Sequence, residues 1–120
     1  MDFSISTKQQ ALLLRLDAFL DGCGFDRDYF LTCQAEKQPP RAFEQALARE
    51  LGPCFLPRAA GGEEADLLTL ALLTERLGQR GFPCGMLLNL LQARDMLAFG
   101  TPEQQARVFA YLREQGGQCF

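Results

Sequence analysis

A helix with no polar face has to be covered by other helices, and Leu67-Leu68-Thr69-Leu70-Ala71-Leu72-Leu73 reads as such a helix. Glu63, Glu64 and Asp66 stand just before it, where acids complement the partial positive charge of a helix N-terminus, and Leu77-Gly78 ends it. We therefore expect this segment at the centre of the molecule, with the rest of the chain wrapped round it. At 120 residues there is room for one core only, because domains cluster near roughly 100–150 residues, so residues 1–120 are expected to form a single domain. With 48% hydrophobic and 22% charged residues, the chain has enough apolar side chains to build that core.

The covering helices are marked by helical spacing and by their stops. Ser6 with Gln9 forms a capping box, and Leu12, Leu13, Leu16, Phe19 and Leu20 follow before Asp21-Gly22. Asp26 to about Ala35 carries Tyr29, Phe30 and Cys33 on one stripe and stops before Pro39-Pro40. Phe43, Ala46, Leu47 and Leu51 share the next face, which ends at Gly52-Pro53. Gly81-Phe82-Pro83 separates the central helix from Met86–Phe99, which stops at Gly100. Thr101-Pro102-Glu103-Gln104 opens the last helix, through Val108, Phe109 and Leu112 to Gly116-Gly117. Cys54-Phe55-Leu56-Pro57 is the one stretch that reads as extended, and it is too isolated to found a sheet. The fold class expected is therefore all-α, about six helices in an up-and-down array.

Several chemistries drop out at once. With no histidine there is no Ser-His or Cys-His pair and no imidazole metal ligand. Cys23, Cys33, Cys54, Cys84 and Cys119 are odd in number and irregularly spaced, without a C-x-x-C pair, so we expect reduced thiols rather than a disulfide framework or a zinc site. A net charge of -3 gives no electrostatic reason to expect nucleic acid or an anionic membrane as partner. No apolar run approaches the roughly 20 residues of a membrane span, and Met1-Asp2-Phe3-Ser4 lacks the features of a secretion signal, so the expected location is the cytoplasm. Gly61-Gly62 lacks the strand, third glycine and lysine of a phosphate loop and reads as a structural turn. Glu63, Glu64 and Asp66 read as helix-terminal acids rather than catalytic carboxylates.

Local patterns then converge. Met1-Asp2-Phe3-Ser4-Ile5 with Gln9 and Leu13, Pro40-x-x-Phe43 with Leu47 and Leu51-Gly52, and Leu56-Pro57 leading to Gly61-Gly62, Asp66 and Thr69 follow one another in order. Glu75-Arg76-Leu77-Gly78 and Phe99-Gly100-Thr101-Pro102-Glu103-Gln104-Gln105 with Leu112 and Gly116 complete the set. In this order the chain resembles the N-terminal helical domain of flavin-dependent acyl-CoA dehydrogenases along nearly its whole length. The Asp2-Phe3 start and Tyr29-Phe30 before Cys33 are also similar to the subgroup of crotonobetainyl-CoA dehydrogenases. Two stretches depart from the pattern: Ala59-Ala60 replace the usual acidic and aromatic residues, and Phe82-Pro83-Cys84-Gly85 replace small polar ones.

The resemblance implies a part of an enzyme that introduces a double bond between the α and β carbons of an acyl-CoA. The family's chains continue into a β-domain and a second helical domain that hold FAD and supply a glutamate base. This chain is therefore expected to carry no catalytic, cofactor-binding or metal-binding residue of its own and to bind no FAD alone. Its implied partners are the acyl-CoA substrate, the remaining enzyme domains and further copies in a homo-oligomer. Phe82, Met86, Asn89 and Leu90 match by order the part that meets the fatty tail. By helical spacing Met86, Asn89, Leu90 and Ala93 share one face, which serves equally as pocket lining or as core. An exposed apolar patch is expected at Phe82, Met86, Leu90 and Phe120. The rival reading is a stand-alone helical module that binds a protein partner.

Overall fold

The computed structural model describes residues 4–114, which form six α-helices and two short 3-10 helices, with no strand among them. The helices are α1 (Thr7–Gly22), α2 (Arg27–Ala35), α3 (Arg41–Leu51), α4 (Leu67–Gln79), α5 (Met86–Phe99) and α6 (Pro102–Glu114). The all-α architecture read from the sequence is therefore present. Its start signals act as expected: Gln9 N–H donates to Ser6 Oγ (3.1 Å) and Ser6 N–H to Gln9 Oε1 (2.9 Å). Thr101 and Gln104 repeat that exchange at α6, at 2.8 and 3.3 Å. Phe120, Cys119 and the Gly116-Gly117 stop lie outside the described residues.

Four expectations change. Residues Gly52–Phe55, expected to be extended at their C-terminal half, form a 3-10 turn instead, closed by Leu56 N–H on the Pro53 carbonyl at 3.2 Å. Proline supplies no donor of its own there, so a single tight turn satisfies the chain where a strand would have no partner. Second, of the three acids only Asp66 caps α4, since the helix starts at Leu67. Glu63 instead lies 3.9 Å from Arg15, and Glu64 lies 3.8 Å from Arg58.

The third change concerns α4 itself. Thr69, Leu70, Leu73 and Leu77 are buried, but Leu67 and Leu68 are 56% and 54% exposed and Ala71 is exposed too. The helix is covered on one side only. The expected apolar patch also moves: Met86 and Leu90 are buried and Phe82 is half-buried, whereas Leu14, Leu67, Leu68, Leu88 and Phe99 are exposed.

The core joins Leu12, Leu13, Leu16 and Leu20 of α1 to Phe43, Leu47 and Leu51 of α3, Leu70, Leu73 and Leu77 of α4, and Leu87 and Leu90 of α5. α1 and α4 lie side by side and run the same way. Gln9 Nε2 donates to Thr69 Oγ1 (3.4 Å), Arg76 pairs with Asp17, and Arg80 pairs with Asp17 (3.2 Å) and Asp21, an offset near 60 residues throughout. The 52–66 connection is folded back on itself by Glu64 N–H on Leu56 O (2.9 Å) and Ala65 N–H on Cys54 O (3.0 Å). That return needs both glycines. Gly61 sits at φ +83°, and a Cβ on Gly62 would stand 2.1 Å from the Leu56 carbonyl oxygen. The structural-turn reading of Gly61-Gly62 is the one the backbone supports.

Candidate functional site

The turn between α4 and α5 is built by local bonds. Gly81 takes φ +76°, its N–H reaches Gly78 O (3.1 Å), and Phe82 N–H reaches Leu77 O (2.9 Å). This aims the Phe82 ring inward, where it stacks on Phe43 (centroids 5.5 Å, 24°) and meets Phe30 edge-on (5.8 Å, 87°). Phe25 and Tyr29 extend the cluster, with Phe25 edge-on to Phe43 at 5.7 Å. The Arg80 guanidinium lies 6.0 Å over the Phe82 ring while its ion pairs with Asp21 and Asp17 raise its pKa.

The four residues singled out in the sequence are thus placed differently. Met86 and Leu90 are 2% and 0% exposed and belong to the core, whereas Asn89 and Phe82 are half-buried. The structure brings Phe82 to the rim of a groove of about 240 Å³, formed with Phe25, Arg27, Phe30, Leu31 and Arg80. Met86, Asn89 and Leu90 do not line that groove. Sequence reading missed the α2 side of it; the signal was present as Phe25, Tyr29 and Phe30 at spacings of four and one.

A second groove, about 290 Å³, lies between the start of α1 and residues 58–69, with Lys8, Arg15, Arg58, Glu63, Glu64 and Asp66 around it. Its charges are largely engaged with one another. Arg15 donates from Nε to Glu50 Oε1 (2.8 Å) and from Nη2 to Glu50 O (2.7 Å), and the Glu50 bond leads the causes that raise its pKa. Behind it, burial pushes the Cys54 thiol up to about 12, which leaves no thiolate for nucleophilic work. Asp66 accepts from Thr69 Oγ1 (2.7 Å) and Thr69 N (2.8 Å), and these bonds hold its carboxyl below the ordinary 3.8. That is cap chemistry, not acid–base chemistry.

The four described cysteines, Cys23, Cys33, Cys54 and Cys84, are free thiols. Among the described residues no cluster of three His, Cys, Asp or Glu could hold a metal, and no helix is long and apolar enough to cross a membrane. A flavin dinucleotide needs a site toward the upper end of the roughly 300–1,000 Å³ typical of ligand pockets. The described grooves, of about 240, 290 and 330 Å³, lie at or below the lower end of that range, and no step through a flavin is derived from these residues.

Comparison with known proteins agrees with this helical reading. A family model described as "Acyl-CoA dehydrogenase, N-terminal domain" matches residues 9–114. The chain is 29% identical over 121 residues to "Probable acyl-CoA dehydrogenase YdiO" of Escherichia coli strain K12, and equally to its counterparts in E. coli O6:H1 and O157:H7. These alignments cover 100% of this chain but 31% of each relative, so the chain spans about a third of their length. No solved structure matches it. The stand-alone interaction module is not favoured by these matches. Six helices in the expected order, closed by the Leu56–Asp66 return and matched across residues 9–114, place the chain in the acyl-CoA dehydrogenase N-terminal domain family.

Proposed function

We propose that this chain forms one wall of the acyl-substrate pocket of a flavin-dependent acyl-CoA dehydrogenase and contributes shape rather than reacting groups. The observation that carries the reading is Phe82, which both fixes the turn into α5 through the Phe43 and Phe30 stack and opens onto a groove whose apolar side is formed with Phe25, Phe30 and Leu31. In this reading Phe82 and the half-buried Asn89 approach the fatty tail, and Met86 and Leu90, packed behind them, set how far the wall stands forward. A polar Asn89 within an apolar stripe is costly unless it has a hydrogen-bond partner or a wet cavity, which suits a position at a pocket edge. FAD, the base and the CoA contacts belong to the parts of the enzyme beyond this domain, and a homo-oligomer is the assembly this reading expects.

The test joins residues 1–120 to the remaining two thirds of an active acyl-CoA dehydrogenase. Met86→Trp, with Asn89→Leu as the milder variant, is expected to lower kcat/KM for long acyl-CoAs about tenfold more than for short ones. Flavin content and thermal midpoint, measured alongside, separate this from core overpacking, which costs about 1–3 kcal/mol of folding stability and does not discriminate between substrates. An equal loss at every chain length, or none, overturns the reading.

A further inference from the structure

Among the described residues two polar side chains are buried, Gln9 (8% exposed) and Thr69 (5%), and both line the groove between α1 and residues 58–69. A buried donor without an acceptor carries a desolvation cost. Gln9 Nε2 donates to Thr69 Oγ1 at a long 3.4 Å, and its second N–H meets no acceptor among the described residues. Along the α1 wall Lys8, Ala11, Leu12 and Arg15 share one stripe, so two cations about 10 Å apart bracket an apolar stretch. Glu63 and Glu64 stand on the facing wall. Glu63 meets Arg15 at 3.9 Å and Glu64 meets Arg58 at 3.8 Å, against 2.8 Å between Arg15 and Glu50 outside the groove. Lys8 has no carboxylate within ion-pair distance among the described residues. Opposite charges thus face each other across about 290 Å³ without closing on it.

We propose that this groove binds a small linear ω-amino carboxylate, its carboxylate at the Lys8–Gln9 end and its ammonium against Glu63 and Glu64. The unpaired Lys8 ammonium and the spare Gln9 N–H supply charge and direction for the carboxylate, a charge-assisted pairing that neither makes within the chain. Ala11 and Leu12 give the connecting methylenes an apolar strip. Glu63 and Glu64, held only by ion pairs of 3.9 and 3.8 Å, keep carboxylate oxygens for the ammonium. The volume lies at the lower end of the roughly 300–1,000 Å³ of ligand pockets, which suits a ligand below drug size. An inorganic anion would use the Lys8 end and leave both glutamates without a counter-charge. A metal ion is the poorer candidate, since no described group of three His, Cys, Asp or Glu could hold one. The proposal does not rest on the acyl-wall reading, and binding is read without turnover.

The experiment titrates the 120-residue chain with 6-aminohexanoate, followed by calorimetry and by backbone amide NMR shifts. Hexanoate and hexylamine, each carrying one of the two charges, serve as the comparison probes. Saturable 1:1 binding of 6-aminohexanoate is expected, with shifts centred on residues 8–15 and 58–69 and at least about tenfold weaker binding of either comparison probe. Lys8→Met, and Glu63→Gln with Glu64→Gln, should each weaken it at least about fivefold, and Arg107→Met on α6, which removes the same charge elsewhere, less than about twofold. Lys8, Glu63, Glu64 and Arg107 are exposed, so circular dichroism should show unchanged helices in each variant. If a variant loses helix, the comparison probes on the unaltered chain still decide. No saturable binding, equal binding of hexanoate or hexylamine, or shifts centred elsewhere overturns the proposal. So does binding that a folded Lys8→Met variant leaves unchanged.

Discussion

Leu70 and Leu68 are two residues apart on α4, and the structure assigns them opposite fates. Leu70 is 3% exposed, inside a cluster that includes Leu73 and Leu77, whereas Leu68 leaves about half its surface in solvent. Truncating a fully buried leucine to alanine loses its transfer free energy and leaves a cavity, together about 2–5 kcal/mol. Stability for 120 residues at about 0.05–0.15 kcal/mol per residue is about 6–18 kcal/mol, so Leu70→Ala removes a large share. Leu68→Ala, on an exposed face with no cavity to create, should fall within about 0.5–1 kcal/mol. Urea unfolding of the isolated chain, followed by circular dichroism, reads both from the midpoint at constant slope. If both variants lose about 2 kcal/mol or more, α4 is surrounded after all and the uncovered face is wrong. If Leu70→Ala loses less than about 1 kcal/mol, the core assignment of α4 fails.

Other expectations follow from particular bonds. Asp66→Ala removes the α4 cap and should cost about 0.5–2 kcal/mol, read in the same unfolding assay. Because the folded Asp66 carboxyl titrates below its ordinary 3.8, its contribution is present above that value and lost as pH falls through the folded one; Asp66→Asn should flatten this part of the acid limb. Gly62→Ala should destabilise by about 1–3 kcal/mol or more, since the added methyl meets the Leu56 carbonyl, and a neutral result would show that the 52–66 return is drawn wrongly. Native-state alkylation at pH 8 should spare Cys54 while reaching the partly exposed Cys23, Cys33 and Cys84; rapid labelling of Cys54 would contradict its burial.

Most of the fold was legible because its signals are local. The Ser6/Gln9 and Thr101/Gln104 exchanges and the proline and glycine stops need only neighbouring residues, and they fix where helices begin and end. What was not legible depends on distant partners. An apolar run such as Leu67–Leu73 says that the helix will be covered, not whether its own chain supplies the cover. Likewise Met86, Asn89, Leu90 and Ala93 share a face by spacing, but only packing against α4, α6 and the 52–55 turn decides that Met86 and Leu90 are sealed while Asn89 is left half-open. The Phe82 stack joins residues 39 positions apart to Phe43, a distance that no local pattern encodes.

The most direct measurement replaces the matching N-terminal third of an active acyl-CoA dehydrogenase with residues 1–120 and records kcat/KM across acyl chain lengths at full flavin loading. A wall that supplies shape and no reacting group should shift the ratio of long-chain to short-chain kcat/KM by about tenfold or more. The kcat for the best substrate should stay within about tenfold, or about 1.4 kcal/mol of the barrier. A chain-length profile identical to the parent enzyme, in a chimera that folds and holds its flavin, would contradict the assignment of this domain to the acyl pocket.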